Sequence, residues 1–222
     1  MDNREIKLQR LLNTDGKSLT AEAYNSVIGM VILWGILVNI LIYRLFAPYI
    51  IKLDYRILTL GYLITAIGCF SVVVKSHKPA YSFLGFPGLA AAMGTVLTAI
   101  LSMYDGLIIY RAFLATGIVV SSMMIVSMIF PGFFQSLGKT LSLAMIGSIV
   151  VEMVGSVLMH LPMYLMDYIV VIIFSGYIGY DWTKAQAYPK TLNNAIDSAA
   201  DIYVDVLNIF IRILSIMGKK DD

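Results

Sequence analysis

Between Val27 and Tyr180 the chain carries only 11 charged side chains in 154 residues, while the other 19 crowd into the 68 flanking residues. No water-soluble surface can be assembled from so long and so uncharged a stretch. The whole sequence of 222 residues is 59% hydrophobic (a set that counts Tyr) and 14% charged. Ordinary globular chains carry roughly 45–50% apolar and about 25% charged residues. A mean hydropathy of +0.82 points the same way. A typical soluble enzyme and a disordered chain are excluded, as is a nucleic-acid binder, because a net charge of +2 is too small to hold a polyanion. The one cysteine, Cys69, excludes an intrachain disulfide and a multi-thiol metal site. What remains is a polytopic membrane protein with charged ends.

A crossing helix needs about 20 mostly apolar residues. Six segments qualify: Val27–Leu45, Ile57–Val74, Tyr81–Tyr104, Leu107–Phe130, Leu141–Met159 and Met163–Tyr180. A seventh, weaker one runs from about Ala199 to Met217 and carries several charges. Pro48, Pro79, Pro131, Pro162 and Pro189 fall between segments, as helix breakers should, and Pro87 lies inside the third. Such continuous apolar runs leave no room for barrel strands, so the expected fold is all-helical. The expected organisation is a polar segment over 1–26, a single seven-helix transmembrane domain over 27–218, and a charged tail at 219–222. The first apolar stretch is too long for a signal-peptide core and is read as a retained span.

Loop charges suggest the orientation. Seven alternating spans put nine Lys/Arg (Arg4, Lys7, Arg10, Lys17, Lys75, Lys78, Lys139, Lys184, Lys190) on the side of the N-terminus and five on the other. The positive-inside rule then places the N-terminus in the cytoplasm. A re-entrant seventh segment changes the count to 11 against 3 without changing the assignment.

The most informative stretch lies near the C-terminus. On a helix from about Leu192, Asn194, Asp197, Asp201, Asp205, Asn208 and Arg212 follow one another by 3, 4, 4, 3 and 4 residues and stack on one face. Ile202, Val206, Ile209, Phe210 and Ile213 lie on the other. Three aspartates one turn apart repel each other, so water, a cation, a proton or a basic partner must offset them. One reading is an amphipathic helix on the membrane surface. The other buries Asp205 and Asn208 inside the bundle, where an ionisable group costs roughly 2.5–3.5 kcal/mol on insertion scales and marks a candidate functional site. Asp181, at the end of the sixth segment in SGYIGYD, is a second acidic candidate, or simply an interfacial residue that stops the span.

Elsewhere Arg111 and Glu152 stand within apolar segments and are candidates to pair inside the bundle, as an ion-path element or as a structural ion pair. Asp167 opens the sixth segment and is expected at the headgroups. Gly147, Gly155, Gly176 and Gly179 suit close helix contacts. His77 and His160 lack a partner at metal spacing. The sequence contains no GxSxG, HExxH, P-loop or Rossmann fingerprint, so no enzymatic activity is expected.

The C-terminal stretch resembles the last two helices of the Bax inhibitor-1 family, the transmembrane Bax inhibitor motif proteins. Its family pattern is a span ending in Tyr-Asp, a loop, and a helix reading Leu-Tyr-x-Asp-x-x-Asn-x-Phe with a trailing apolar run to Gly. Here Tyr180-Asp181, Ile202-Tyr203-Val204-Asp205-Val206-Leu207-Asn208-Ile209-Phe210 and Gly218 match it. Leu97–Tyr104 and Ala112–Gly117 are similar to the family's third and fourth spans. The resemblance covers about residues 80–218. It implies a seven-helix bundle with a short acidic C-terminal helix at the centre of two three-helix groups. It also implies a pH-sensitive calcium leak in which Asp181 and Asp205 share a proton. The family's latching arginine falls around Lys75, and a lysine cannot make the bidentate fork of an arginine.

Two carboxylates within hydrogen-bond reach cannot easily both ionise, so the pair holds one proton near neutral pH. Losing it adds negative charge that attracts a hard cation. Calcium takes about six to eight oxygen ligands, so water or carbonyls must complete a weak Asp181/Asp205 site. Asp197, Asp201, Asn208, Arg111 and Glu152 are candidates for the rest of an ion path. The expected function is therefore a channel-like calcium leak, with no tightly bound cofactor. The alternatives are a non-conducting regulator that binds other membrane proteins, such as a protease or a stress or death factor, and a proton-coupled cation carrier. The expected location is a bacterial cell membrane, or the endoplasmic reticulum for a eukaryotic source, with a monomer as the simplest assembly.

Overall fold

The computed structural model describes residues 18–75, 79–154 and 164–219. Every regular element among them is a helix: α1 (Ala21–Ile50), α2 (Tyr55–Lys75), α3 (Pro79–Leu101), α4 (Gly106–Ile129), α5 (Pro131–Ser136), α6 (Gly138–Val154), α7 (Tyr164–Ala187) and α8 (Leu192–Gly218). Among the described residues eight helices stand where seven were expected. The additional one, α5, has six residues and begins at Pro131, which sequence reading treated only as a breaker. Proline at the first helical position loses no hydrogen bond, so the same residue that ends α4 starts α5.

Local chemistry sets the ends. Thr20 caps α1, its hydroxyl accepting from the Ala23 amide at 3.2 Å. Asp105 caps α4 through the Gly106 amide at 3.0 Å. Thr191 opens α8 by accepting from the Asn194 amide at 3.3 Å, while the Asn194 side chain donates to the Pro189 carbonyl at 3.0 Å. The start of α8 near Leu192 agrees with the sequence reading; α7 runs past Asp181 to Ala187, further than expected.

The described residues form two compact units. One comprises those up to Met103 together with Ala187–Tyr203, and the other comprises Tyr104–Gln186 with the remainder of α8. In the first, α3 packs on both α1 and α2. Tyr203 of α8 is fully buried there, its ring edge-on to Phe86 at 5.3 Å and its hydroxyl bonded to Asn39. Gly35 makes room for the ring: a Cβ at that position would lie 2.7 Å from Tyr203 Cε2. In the second unit Gly176 and Gly179 of α7 pack against Leu141 and Phe134. Gly147 has nothing within 4 Å of a Cβ and is not a contact glycine; Gly155 lies outside the described residues.

The surface of the described residues is unlike that of a soluble protein. Asn193, Asn194, Asp197, Ser198 and Asp205 are buried, whereas Met103 is 81% exposed and Ile64, Leu143 and Ile172 exceed 70%. Apolar surface on this scale needs a non-aqueous covering. Helices satisfy their own backbone and tolerate hydrocarbon around them. By length and composition α1 and α4 are each sufficient to cross a bilayer.

Candidate functional site

The site is built on α7 and α8. In the second unit Asp205 of α8 is buried, 5% exposed. Asp181 is part-buried on α7, and the Lys184 ammonium lies 3.1 Å from its Oδ1, one helical turn on. Tyr177 lies one turn before Asp181 on α7, in the same unit as Asp205. Its hydroxyl donates to Ser142 of α6 at 3.5 Å. Ring contacts link Phe174, Tyr177 and Tyr180 along this face, and Lys184 stands 5.5 Å from the Tyr180 ring centre. Among the described residues no three His, Cys, Asp or Glu side chains gather at metal-binding range. A cation at this site would have to take the remaining ligands from water or backbone.

The other candidates separate. Asp197 is buried in the first unit and accepts from the Asn193 amide at 3.1 Å, and Asp201, in the same unit, is half-buried. The Asn208 amide donates to the Val204 carbonyl of its own helix at 2.8 Å, which leaves its side-chain oxygen as the group it can offer a ligand. Lys75 ends α2, and its side chain lies outside the described residues, as do His77 and Lys78. The basic neighbour found on Asp181 is Lys184, which the sequence reading had counted only as a loop charge; its i, i+3 spacing was the available signal.

Glu152 does not pair with Arg111. Arg111 is exposed on α4, and Glu152 is held by Arg212 of α8, Oε1 to Nη1 at 2.7 Å and Oε2 to Nη2 at 3.0 Å. Arg212 Nη1 also reaches Asp167 Oδ1 at 2.9 Å. Asp167 is buried, with Ser215 donating to its Oδ2 at 2.7 Å and Lys219 lying 3.5 Å away. Charge compensation from α8 makes that burial tolerable.

Just before α8, Lys190 rests 4.6 Å from the Tyr24 ring centre, and its carbonyl accepts from the Leu19 amide at 2.7 Å. Partial burial of its ammonium lowers the pKa of Lys190 below the ordinary 10.5. The Tyr24 hydroxyl meets the Asn194 carbonyl and Ser198 at 3.3 and 3.4 Å. These partners were not singled out from sequence, where Tyr24 belonged to a polar leader.

The family model described as "Inhibitor of apoptosis-promoting Bax1" matches the chain over residues 17–222. The chain belongs to the Bax inhibitor-1 family. This Bax inhibitor-1 family chain is 30% identical over 142 residues to an uncharacterized membrane protein of Streptococcus pyogenes serotype M3 (strain ATCC BAA-595 / MGAS315), covering 60% of the chain and 61% of that protein. It is 29% identical, with the same coverage, to one of serotype M6 (strain ATCC BAA-946 / MGAS10394). The match thus spans about 61% of the length of these curated relatives. With its exposed apolar helices, the Bax inhibitor-1 family chain is a membrane protein.

Proposed function

We propose that the protein is a calcium leak under proton control, with Asp181 and Asp205 as the proton-holding pair. The observation that carries this reading is the burial of Asp205 in the same compact unit as Asp181. When the pair holds a proton, its net charge is small and a divalent cation gains little there. When the proton leaves, two negative charges repel each other and attract a hard cation. With few protein ligands, binding is weak and release fast, which suits conduction. The Lys184 ammonium offsets the charge of Asp181 and competes with a cation for it.

In this reading seven helices lie in the membrane with α5 as a connecting turn, and α8 is the central element. The N-terminus is cytoplasmic, the membrane is the bacterial cell membrane, and the chain performs no catalysis and holds no resident cofactor. Lipid, calcium and protons are its partners.

Purified protein in liposomes loaded with a calcium-sensitive dye tests this. A leak passes calcium down its gradient without a counter-ion requirement. Strict exchange against protons identifies a carrier instead, and an absence of flux leaves a regulator of other membrane proteins.

A further inference from the structure

We propose that Arg212 is a cation-excluding plug, clasped in place by Glu152 and Asp167, so that passage along α8 requires the clasp to open. The inference rests on the leak reading and adds a second point of control to it. Within the second unit, Asp205, Asn208, Arg212, Ser215 and Lys219 follow at spacings of 3, 4, 3 and 4 and form one polar stripe along α8. A cation leaving Asp205 along this stripe meets the Asn208 oxygen and then a guanidinium. The guanidinium is not free to turn aside. Both of its terminal nitrogens engage Glu152 of α6, and Nη1 also engages Asp167 of α7. A charge-assisted hydrogen bond to each of two carboxylates, Nη2 to Glu152 and Nη1 to Asp167, fixes the guanidinium in position as well as in charge. Asp167 is in turn held by Ser215 and Lys219, one and two turns further along α8. The clasp therefore ties three helices at one level and sets a fixed positive charge across the stripe. It also neutralises Glu152 and Asp167, which would otherwise be the next acidic stations for a cation.

The test is calcium flux into dye-loaded liposomes for the wild type and two variants. The first is Arg212→Cys on a Cys69→Ser background. The second is the triple variant Glu152→Gln, Asp167→Asn, Arg212→Met, which removes the plug together with its partners, takes a carboxylate from the half-exposed Lys219, and keeps the experiment decisive if the single variant fails to fold. Both variants are expected to leak several-fold faster than wild type. Treating the cysteine variant with a cationic methanethiosulfonate reagent is expected to slow it again, whereas an anionic reagent of similar size is not. A triple variant that leaks no faster than wild type overturns the plug and leaves the leak reading standing. No flux from any of the proteins overturns both.

Discussion

The ammonium of Lys184 stands 3.1 Å from a carboxylate oxygen of Asp181, on the same face of α7. An acid expected to trade protons thus carries its own counter-charge, supplied from its own helix. That ammonium favours the ionised carboxylate. Replacing Lys184 with Met is expected to move the pH at which calcium flux switches on upward. Flux across a pH series in liposomes measures it; an unchanged or lowered switching pH contradicts this role for Lys184.

Tyr203 and Asn39 hydrogen-bond to each other in a buried setting, at 2.8 and 3.0 Å. Tyr203→Phe leaves the Asn39 amide without that hydroxyl and should cost about 1–3 kcal/mol of stability. Adding Asn39→Leu removes the stranded group, so the double variant should lose less than the sum of the two single losses. Thermal unfolding in detergent reads both effects. Strict additivity would show that the pair does not act as a unit.

Two glycines make a paired test of packing. A methyl group at Gly35 would sit 2.7 Å from the Tyr203 ring and 2.8 Å from that of Phe86, whereas one at Gly147 would meet nothing within 4 Å. Gly35→Ala is expected to destabilise by about 1–3 kcal/mol. Gly147→Ala should be neutral or slightly stabilising, because alanine is the better helix former. Equal melting shifts for the two would contradict the packing described for α1.

Sequence pattern located α8 and its acidic stripe because spacings of three and four residues are fixed by the helix itself. The long apolar helices were legible for the same kind of reason, since hydrocarbon surface has nowhere to go but lipid or a core. Partner choice across helices has no such signature. Glu152 was matched with Arg111 because both stand within apolar segments, and only packing put Arg212 there. That Arg212, Ser215 and Lys219 converge on Asp167 and permit its burial was likewise invisible in a residue that opens an apolar run. The Pro131-Gly132 pair read as a break, which hid α5; the end of α7 was misplaced by treating Asp181 as a stop, although the following Trp182–Ala187 are compatible with helix.

Lys190 supplies a pH test outside the spans. Its ammonium is partly buried, which favours the neutral amine and places its pKa below 10.5. Below that lowered value the lysine is charged in both folded and unfolded chains, and the full burial penalty is felt. As pH rises towards 10.5 the folded chain gives up the proton first, so this residue's contribution to stability improves across that window. Acylation of Lys190 followed by peptide mass spectrometry over a pH series should show a midpoint below 10.5. A midpoint at or above that value contradicts the burial.

Calcium flux as a function of pH, compared between wild type and the Asp181→Asn/Asp205→Asn double variant in the same liposomes, bears most directly on proton control by the two acids. Flux that rises with pH in the wild type and is pH-independent in the double variant is the predicted result. A double variant that keeps the wild-type pH response would contradict it.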